Sequence, residues 1–352
     1  MDQEPNRAVN QLFPDFHLDY HGIITWLKEN NYKSIAIQLP EGLKRQAVEL
    51  IKKMESEAEI TAILIADPCF GACDVVGAKL EDLGVDAIIH IGHSEIPNCP
   101  KPKVPIKFVE LQSNADIGKL ISEQKNLELL KTEFAPPFSL GILTNVQFIT
   151  QLNSVVSILE AQDYQVFLGT GEDRIKHPGQ VLGCNFSAAR AINDQVDGFL
   201  FIGDGTFHAL GVALVTKKKV LAFSPETNSF QDINELREKI LRQRSGAIAA
   251  LKDSLNFGIL VSTKSGQNRL EYAKNIQTKL NQSNRSGVLL FLDIITPLQL
   301  DYLPFDGYIN TACPRLAIDD YVQYKKPIIT PIELEIILGE RSWENYAFDE
   351  IN

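Results

Sequence analysis

Three times along the chain, a short apolar run gives way to a polar turn and then to a stretch with apolar positions at helical spacing. The runs are Ser34–Leu39, Phe138–Leu143 and Phe257–Ser262, and the turn-plus-amphipathic stretches occupy residues 40–54, 145–162 and 264–280. In the first stretch Leu43, Ala47, Leu50 and Ile51 share one helical face. Each unit is strand, turn, helix. Further along, each reaches a second signature: Val85-Asp86-Ala87, Val196-Asp197-Gly198 and Phe305-Asp306-Gly307, followed by another apolar run. An aspartate turn leading into a strand buried on both faces accounts for all three. The aspartates lie 111 and 109 residues apart, and a fixed period is the mark of a structural repeat. The pattern predicts an α/β protein of three repeated α/β domains, their parallel sheets in pseudo-threefold arrangement around a central site. The expected domains are 1–132, 133–228 and 229–352, with Pro136-Pro137 in a linker and 233–254 as a long helix entering the third.

Composition narrows the function. The 352 residues suffice for two or three domains. With 34 basic and 45 acidic residues the formal charge is −11, which argues against direct nucleic-acid binding, since that needs a basic footprint. No apolar run approaches the roughly 18 residues of a membrane-spanning helix. The N-terminal MDQEPNRAVNQLF lacks the basic start and apolar core of a secretion signal. The expectation is a cytoplasmic protein with no membrane partner.

Five cysteines, an odd number, do not read as a disulfide framework in such a chain. Cys73 and Cys184 each precede their repeat aspartate by 13 residues and so share a structural slot. Cys313 follows Asp306 by 7 residues, at the carboxyl end of a strand, which is where open parallel sheets gather ligands. The neighbours Gly71, Ala72, Gly183, Asn185, Ala312 and Pro314 are small or turn-forming and leave each sulfur room. One thiolate per domain aimed at a common centre suits either zinc or an iron–sulfur cluster with one open iron. There is no Cys-x-x-Cys pair, so a zinc ribbon is not expected. Cys69 and Cys73 have the first spacing of a radical S-adenosylmethionine loop, but its third cysteine position is Val76. Cys69 and Cys99 are expected to be packing residues.

Five strings occur in order: Gln38-Leu39-Pro40-Glu41-Gly42-Leu43, Gly71-Ala72-Cys73-Asp74, Val181-Leu182-Gly183-Cys184-Asn185, Gly203-Asp204-Gly205-Thr206-Phe207-His208 and Ala312-Cys313-Pro314-Arg315-Leu316. Together, over nearly the whole chain, the sequence resembles the diphthamide synthases of archaeal type. Phe70 stands where that family's loop often has tyrosine. The resemblance implies a [4Fe–4S] cluster on Cys73, Cys184 and Cys313, its fourth iron open to S-adenosylmethionine. It implies a radical reaction in which the Cγ–S bond of the sulfonium breaks. The 3-amino-3-carboxypropyl group then joins C2 of a histidine imidazole on translation elongation factor 2, and methylthioadenosine leaves. This is the first step of diphthamide biosynthesis. An electron donor and a homodimer are also implied; eukaryotic relatives work as heterodimers in which one chain mainly assists.

On that footing Gln38, Pro40, Glu41, Gly42, Gly203, Asp204, Gly205, His208 and Gln267 are the expected contacts of S-adenosylmethionine. Carboxylates such as Glu41 or Asp204 favour a sulfonium. Backbone amides in the turns at Pro40-Glu41-Gly42, Gly203-Asp204-Gly205 and Lys264-Ser265-Gly266-Gln267 suit its carboxylate. His208 is expected at substrate or nucleoside, and Arg315 is placed to tune the charge beside Cys313. Two alternatives stay open: a zinc-thiolate nucleotide-binding or hydrolytic enzyme, and a non-catalytic subunit of the same pathway.

Overall fold

The computed structural model describes residues 11–77, 80 and 83–351. After a two-residue strand β1 (Phe16–His17), the first sheet is built from β2 (Ser34–Gln38), β3 (Thr61–Leu64), β4 (Ala87–Ile91) and β5 (Ile106–Val109); β6 (Gln112–Ser113) pairs back on β1. The second sheet contains β7 (Phe138–Thr144), β8 (Tyr164–Phe167), β9 (Gly198–Ile202), β10 (Lys219–Ser224) and β11 (Ser229–Asp232). The third contains β12 (Asn256–Ser262), β13 (Ser286–Leu292), β14 (Gly307–Asn310) and β15 (Ile328–Ile329). Spatial orders are β3-β2-β4-β5, β8-β7-β9-β10-β11 and β13-β12-β14-β15. Second, first, third, fourth: the same winding occurs three times, parallel throughout except for the β10–β11 hairpin. The repeat extends to the turns. Each first strand runs into a 3-10 turn (Glu41–Leu43, Val146–Gln151, Ser265–Gln267) and then a helix (Lys44–Ala58, Leu152–Glu160, Leu270–Gln282).

The period of the aspartates has a physical cause. Asp86 accepts the backbone N–H groups of Lys33 and Ser34 at 2.7 and 2.8 Å. Asp197 accepts that of Ser139 at 2.9 Å, and Asp306 accepts those of Leu255 and Asn256 at 3.0 and 2.9 Å. Each carboxylate thus ties the start of the third strand of its sheet to the start of the first. The hydrogen bonds hold Asp86 below the usual carboxylate range.

Strand β9 shows why these runs read as continuously apolar. Phe199 and Phe201 enter one core with Val212 and Val220, while Leu200 and Ile202 enter the opposite core with Leu152 and Phe223. Alternate side chains serve alternate faces, and both faces are covered.

Packing on the second sheet draws in residues from both sides of the expected 133–228 unit. Ile117, Ile121, Leu130 and Phe134, placed in or beside the first domain, pack on the second sheet with Leu140 and Ile142. The β10–β11 hairpin continues that sheet past residue 228. The helix Asn234–Leu251 then leads into the third unit, where buried Arg244 forms a bidentate pair with Glu333 at 2.7 and 2.6 Å. The C-terminal segment returns to the second unit, where Phe348 meets Phe186 edge-on with centroids 5.4 Å apart. Among the described residues, no helix is long and apolar enough to cross a membrane.

Candidate active site

Three loops at the carboxyl ends of the strands carry one candidate cysteine from each unit. Cys73 lies between β3 and β4, Cys184 between β8 and β9, and Cys313 directly after β14. Tight local hydrogen bonding shapes the latter two. The Cys184 turn is closed by reciprocal Leu182 and Asn185 backbone bonds at 3.0 and 3.2 Å. The Cys313 carbonyl accepts from the Asn310 side chain at 2.8 Å.

The third unit reaches across to the first. The Gly266 N–H donates to the Cys73 carbonyl at 3.1 Å, and the Gln267 amide donates to Cys73 Sγ at 3.3 Å. A Cβ on Gly266 would lie 2.5 Å from Cys73 Cα and 2.9 Å from Cys99 Sγ, so only glycine permits this approach. The second unit joins through Arg174, whose guanidinium donates to the Gly266 carbonyl at 3.2 Å and stands 4.0 Å from Cys184 Sγ. Lys264 and Asp74 form a further, nearly buried ion pair between the third and first units.

The three thiols feel one another. Burial raises Cys73 most, and the neighbouring Cys184 and Cys313 sulfurs raise it further, against the Gln267 hydrogen bond. Burial, then Cys184, pushes Cys313 up to about 12. Cys184 is raised by burial against the opposing Arg174 cation. At neutral pH all three are protonated, so a metal group entering here displaces their protons.

Two observations bear on what fits. Arg174 Nε is buried without a hydrogen-bond partner beside these sulfurs, an orphaned donor that an acceptor between the loops would satisfy. Among the described residues, the set of three metal-binding side chains with ligand atoms all within 4.8 Å of one another is Cys69, His90 and His93, not the three cysteines. A single zinc ion bonded at about 2.3 Å needs its sulfurs within about 4.6 Å of each other. Three thiols from separate loops, with the unpartnered Arg174 donor beside them, are a donor set that an iron–sulfur cluster uses.

The other expected contacts divide. Gln267 lies on Cys73, as described. His208 lies at the Cys184 turn, where a Cβ on Gly183 would be 3.8 Å from its Nε2. Its ring stacks on Phe201 at 5.9 Å, and burial, with the Arg315 cation, lowers its pKa to about 4. Arg315 covers the Phe207 ring at 5.4 Å, linking the Cys313 and Cys184 loops. Gly203 and Gly205 adopt positive φ of 155° and 77°, while Asp204 accepts Ser224 Oγ at 2.7 Å and the Glu226 N–H at 3.2 Å. Asp204 therefore braces the turn after β10. Pro40 and Gly42 flank an exposed turn in which Glu41 pairs with Lys44. Gln38 is wholly buried: its amide donates to the Asp74 carbonyl at 2.7 Å and its oxygen accepts from Val76 N–H at 3.2 Å and faces His90 Nδ1 at 3.2 Å. At most one of its N–H groups remains for a ligand.

Arg174 and the C-terminal segment have no sequence signal. Ile351 N–H donates to the Cys184 carbonyl at 2.8 Å, and Asp349 pairs with Arg269 at 2.6 Å, while Arg269 Nε holds the Thr311 carbonyl at 2.8 Å. The chain end thereby clasps the Cys184 and Cys313 loops.

Fold and site define a three-unit α/β protein that brings one thiol from each unit, Cys184 buried and Cys73 and Cys313 half-buried, to a shared junction. Residues 39–347 match the family described as "Putative diphthamide synthesis protein". The chain is 39% identical over 333 residues to the 2-(3-amino-3-carboxypropyl)histidine synthase of Pyrococcus horikoshii, covering 94% of this chain and 92% of that protein. It is 30% identical over 336 residues to the enzyme of that name from Methanocaldococcus jannaschii, covering 92% and 89%. The crystal structure of Dph2 from Pyrococcus horikoshii with a 4Fe-4S cluster superposes with a TM-score of 0.87 at 37% identity, covering 96% of this chain and 94% of that one. The chain belongs to the diphthamide synthesis family, as an enzyme of the 2-(3-amino-3-carboxypropyl)histidine synthase kind.

Proposed function

We propose that Cys73, Cys184 and Cys313 hold a [4Fe–4S] cluster and that the chain transfers the 3-amino-3-carboxypropyl group of S-adenosylmethionine to C2 of a histidine imidazole on translation elongation factor 2. Methylthioadenosine is the other product. One observation carries the reading: the Cys73, Cys184 and Cys313 thiols, one from each unit, are near enough to raise one another's pKa, in a chain spanning nearly all of the cluster-bearing relative. Bound there, the cluster supplies a single electron to the sulfonium, whose Cγ–S bond then breaks.

The chain's own residues set the conditions. The Gln267 N–H on Cys73 and the Arg174 cation beside Cys184 orient two thiolates and offset part of their charge. Burial of the sulfurs limits water, which together with those hydrogen bonds tunes the reducing power of a cluster. Neutral His208, at the Cys184 turn, presents an imidazole nitrogen to substrate or nucleoside. With the Gly203, Gly266 and Gln267 N–H groups already bonded, the remaining amides of the turns at 203–205 and 265–267 are offered to the carboxylate of S-adenosylmethionine, and Asp204 and the Lys44-paired Glu41 offer negative charge to its sulfonium. The reading includes a cytoplasmic homodimer served by a separate electron donor.

The test is product identity. Anaerobically reconstituted, dithionite-reduced protein with S-adenosylmethionine and elongation factor 2 is expected to yield methylthioadenosine and a factor heavier by one aminocarboxypropyl group. With 5′-deoxyadenosine as the main product, the proposed bond cleavage is wrong. A colourless, iron-free but active preparation would return the zinc-thiolate reading.

A further inference from the structure

A second constellation lies at the carboxyl end of the first sheet, apart from Cys73, Cys184 and Cys313 and unused by the proposed chemistry. Cys69, on the loop after β3, is 5% exposed; His90, on β4, is wholly buried; His93, in the turn after β4, is half-buried. One ligand atom from each lies within 4.8 Å of the others, the spread that a single ion bonded at 2.0–2.3 Å can bridge after small adjustments. His90 Nε2 and His93 Nδ1 already face each other at 2.9 Å.

The surroundings fix how His90 is presented. The Gln38 amide is oriented by donating to the Asp74 carbonyl and accepting from Val76 N–H, so its oxygen must face His90 Nδ1. His90 therefore carries its proton on Nδ1 and turns the lone pair of Nε2 toward His93. A buried partner on the far nitrogen, setting tautomer and ring angle, is how metal-binding histidines are usually held.

We propose that Cys69, His90 and His93 form a site for one borderline-soft divalent ion, Zn²⁺, separate from the three-cysteine centre. One thiolate and two imidazoles select such an ion over the hard cations Mg²⁺ and Ca²⁺. Binding releases one proton, from the Cys69 thiol. The His93 proton moves from Nδ1 to Nε2, freeing the second nitrogen lone pair without further proton loss. Water completes the tetrahedron from the partly open His93 side. Because Cys69 precedes Cys73 by four residues, the ion staples the Cys73 loop to the end of β4.

The inference does not rest on the proposed activity, and its test does not read activity. Full-length, cluster-loaded protein is equilibrated with a small excess of zinc sulfate, gel-filtered and analysed for zinc and iron. One zinc per chain is expected. It is expected to be lost in Cys69→Ala and His93→Ala with iron content unchanged. Wild-type protein that retains no zinc, or variants that retain it fully, would overturn the proposal. Should the variants fail to fold, zinc-edge X-ray absorption on the wild-type chain decides. A shell of one sulfur with nitrogen or oxygen neighbours supports the site; an all-sulfur or sulfur-free shell refutes it.

Discussion

Gly266→Ala places one methyl group where the first and third units touch. The added carbon would stand 2.5 Å from Cys73 Cα and 2.6 Å from Cys73 Cβ, and these are backbone-fixed atoms that cannot swing aside. Overpacking of this kind costs about 1–3 kcal/mol. Relief by separation would break the Gly266–Cys73 hydrogen bond of 3.1 Å, at about 1 kcal/mol more. The sum is about 2–4 kcal/mol, and the junction that carries it also holds Arg174 and Gln267. Urea unfolding of the full chain measures the stability loss, and iron bound per chain after anaerobic reconstitution measures the damage to the thiol triangle. Gly42→Ala is the control, since nothing lies within 4 Å of its added methyl; it is expected within about 0.5 kcal/mol of wild type. A Gly266→Ala protein as stable as wild type and loading iron equally would refute the close approach of the two units.

Other outcomes follow from individual contacts. Arg244→Met strands Glu333 without its guanidinium in a fully buried setting and is expected to cost about 3–5 kcal/mol by urea unfolding. Adding Glu333→Leu is expected to recover part of that loss, and a double variant no better than the single would contradict the pairing. Removing the repeated strand tie in Asp86→Ala, Asp197→Ala or Asp306→Ala is expected to cost about 1 kcal/mol per hydrogen bond by urea unfolding, so Asp197→Ala, which loses one bond where the others lose two, is expected to cost least. His208, lowered to about 4 when folded, is ordinarily near 6.5 when unfolded, so the unfolded chain binds the extra proton between those values. Its contribution to stability is complete above about pH 6.5 and falls as pH drops toward 4. Denaturation midpoints at several pH values are expected to fall less steeply in His208→Gln than in wild type.

Much of this architecture was legible in the chain. Strands buried on both faces leave unbroken apolar runs, and an aspartate tying two strand starts recurs at the period of the unit; both signals are local. The equal offset of Cys73 and Cys184 from their aspartates reflects a shared position between the second and third strands of each sheet. What stayed hidden is non-local. Residues 117–134 pack on the second sheet, a choice of neighbour that no local pattern in that stretch encodes. Arg174 has no counterpart in the repeat, and the clasp of Asp349 and Ile351 depends on a chain end whose destination no pattern encodes. Cys69 is buried as expected of a packing residue, and its nearness to His90 and His93 joins a loop, a strand end and a turn, where no fixed ligand spacing applies.

The central claim is that three thiols remote along the chain share one iron centre, and iron counting on cysteine variants tests it most directly. Reconstituted wild-type protein is expected to hold about four irons per chain, the content of one [4Fe–4S] cluster. Cys73→Ala, Cys184→Ala and Cys313→Ala should each lose most of that iron, while Cys99→Ala keeps it. Full iron in any of the first three variants, or its loss only in Cys99→Ala, would contradict the account.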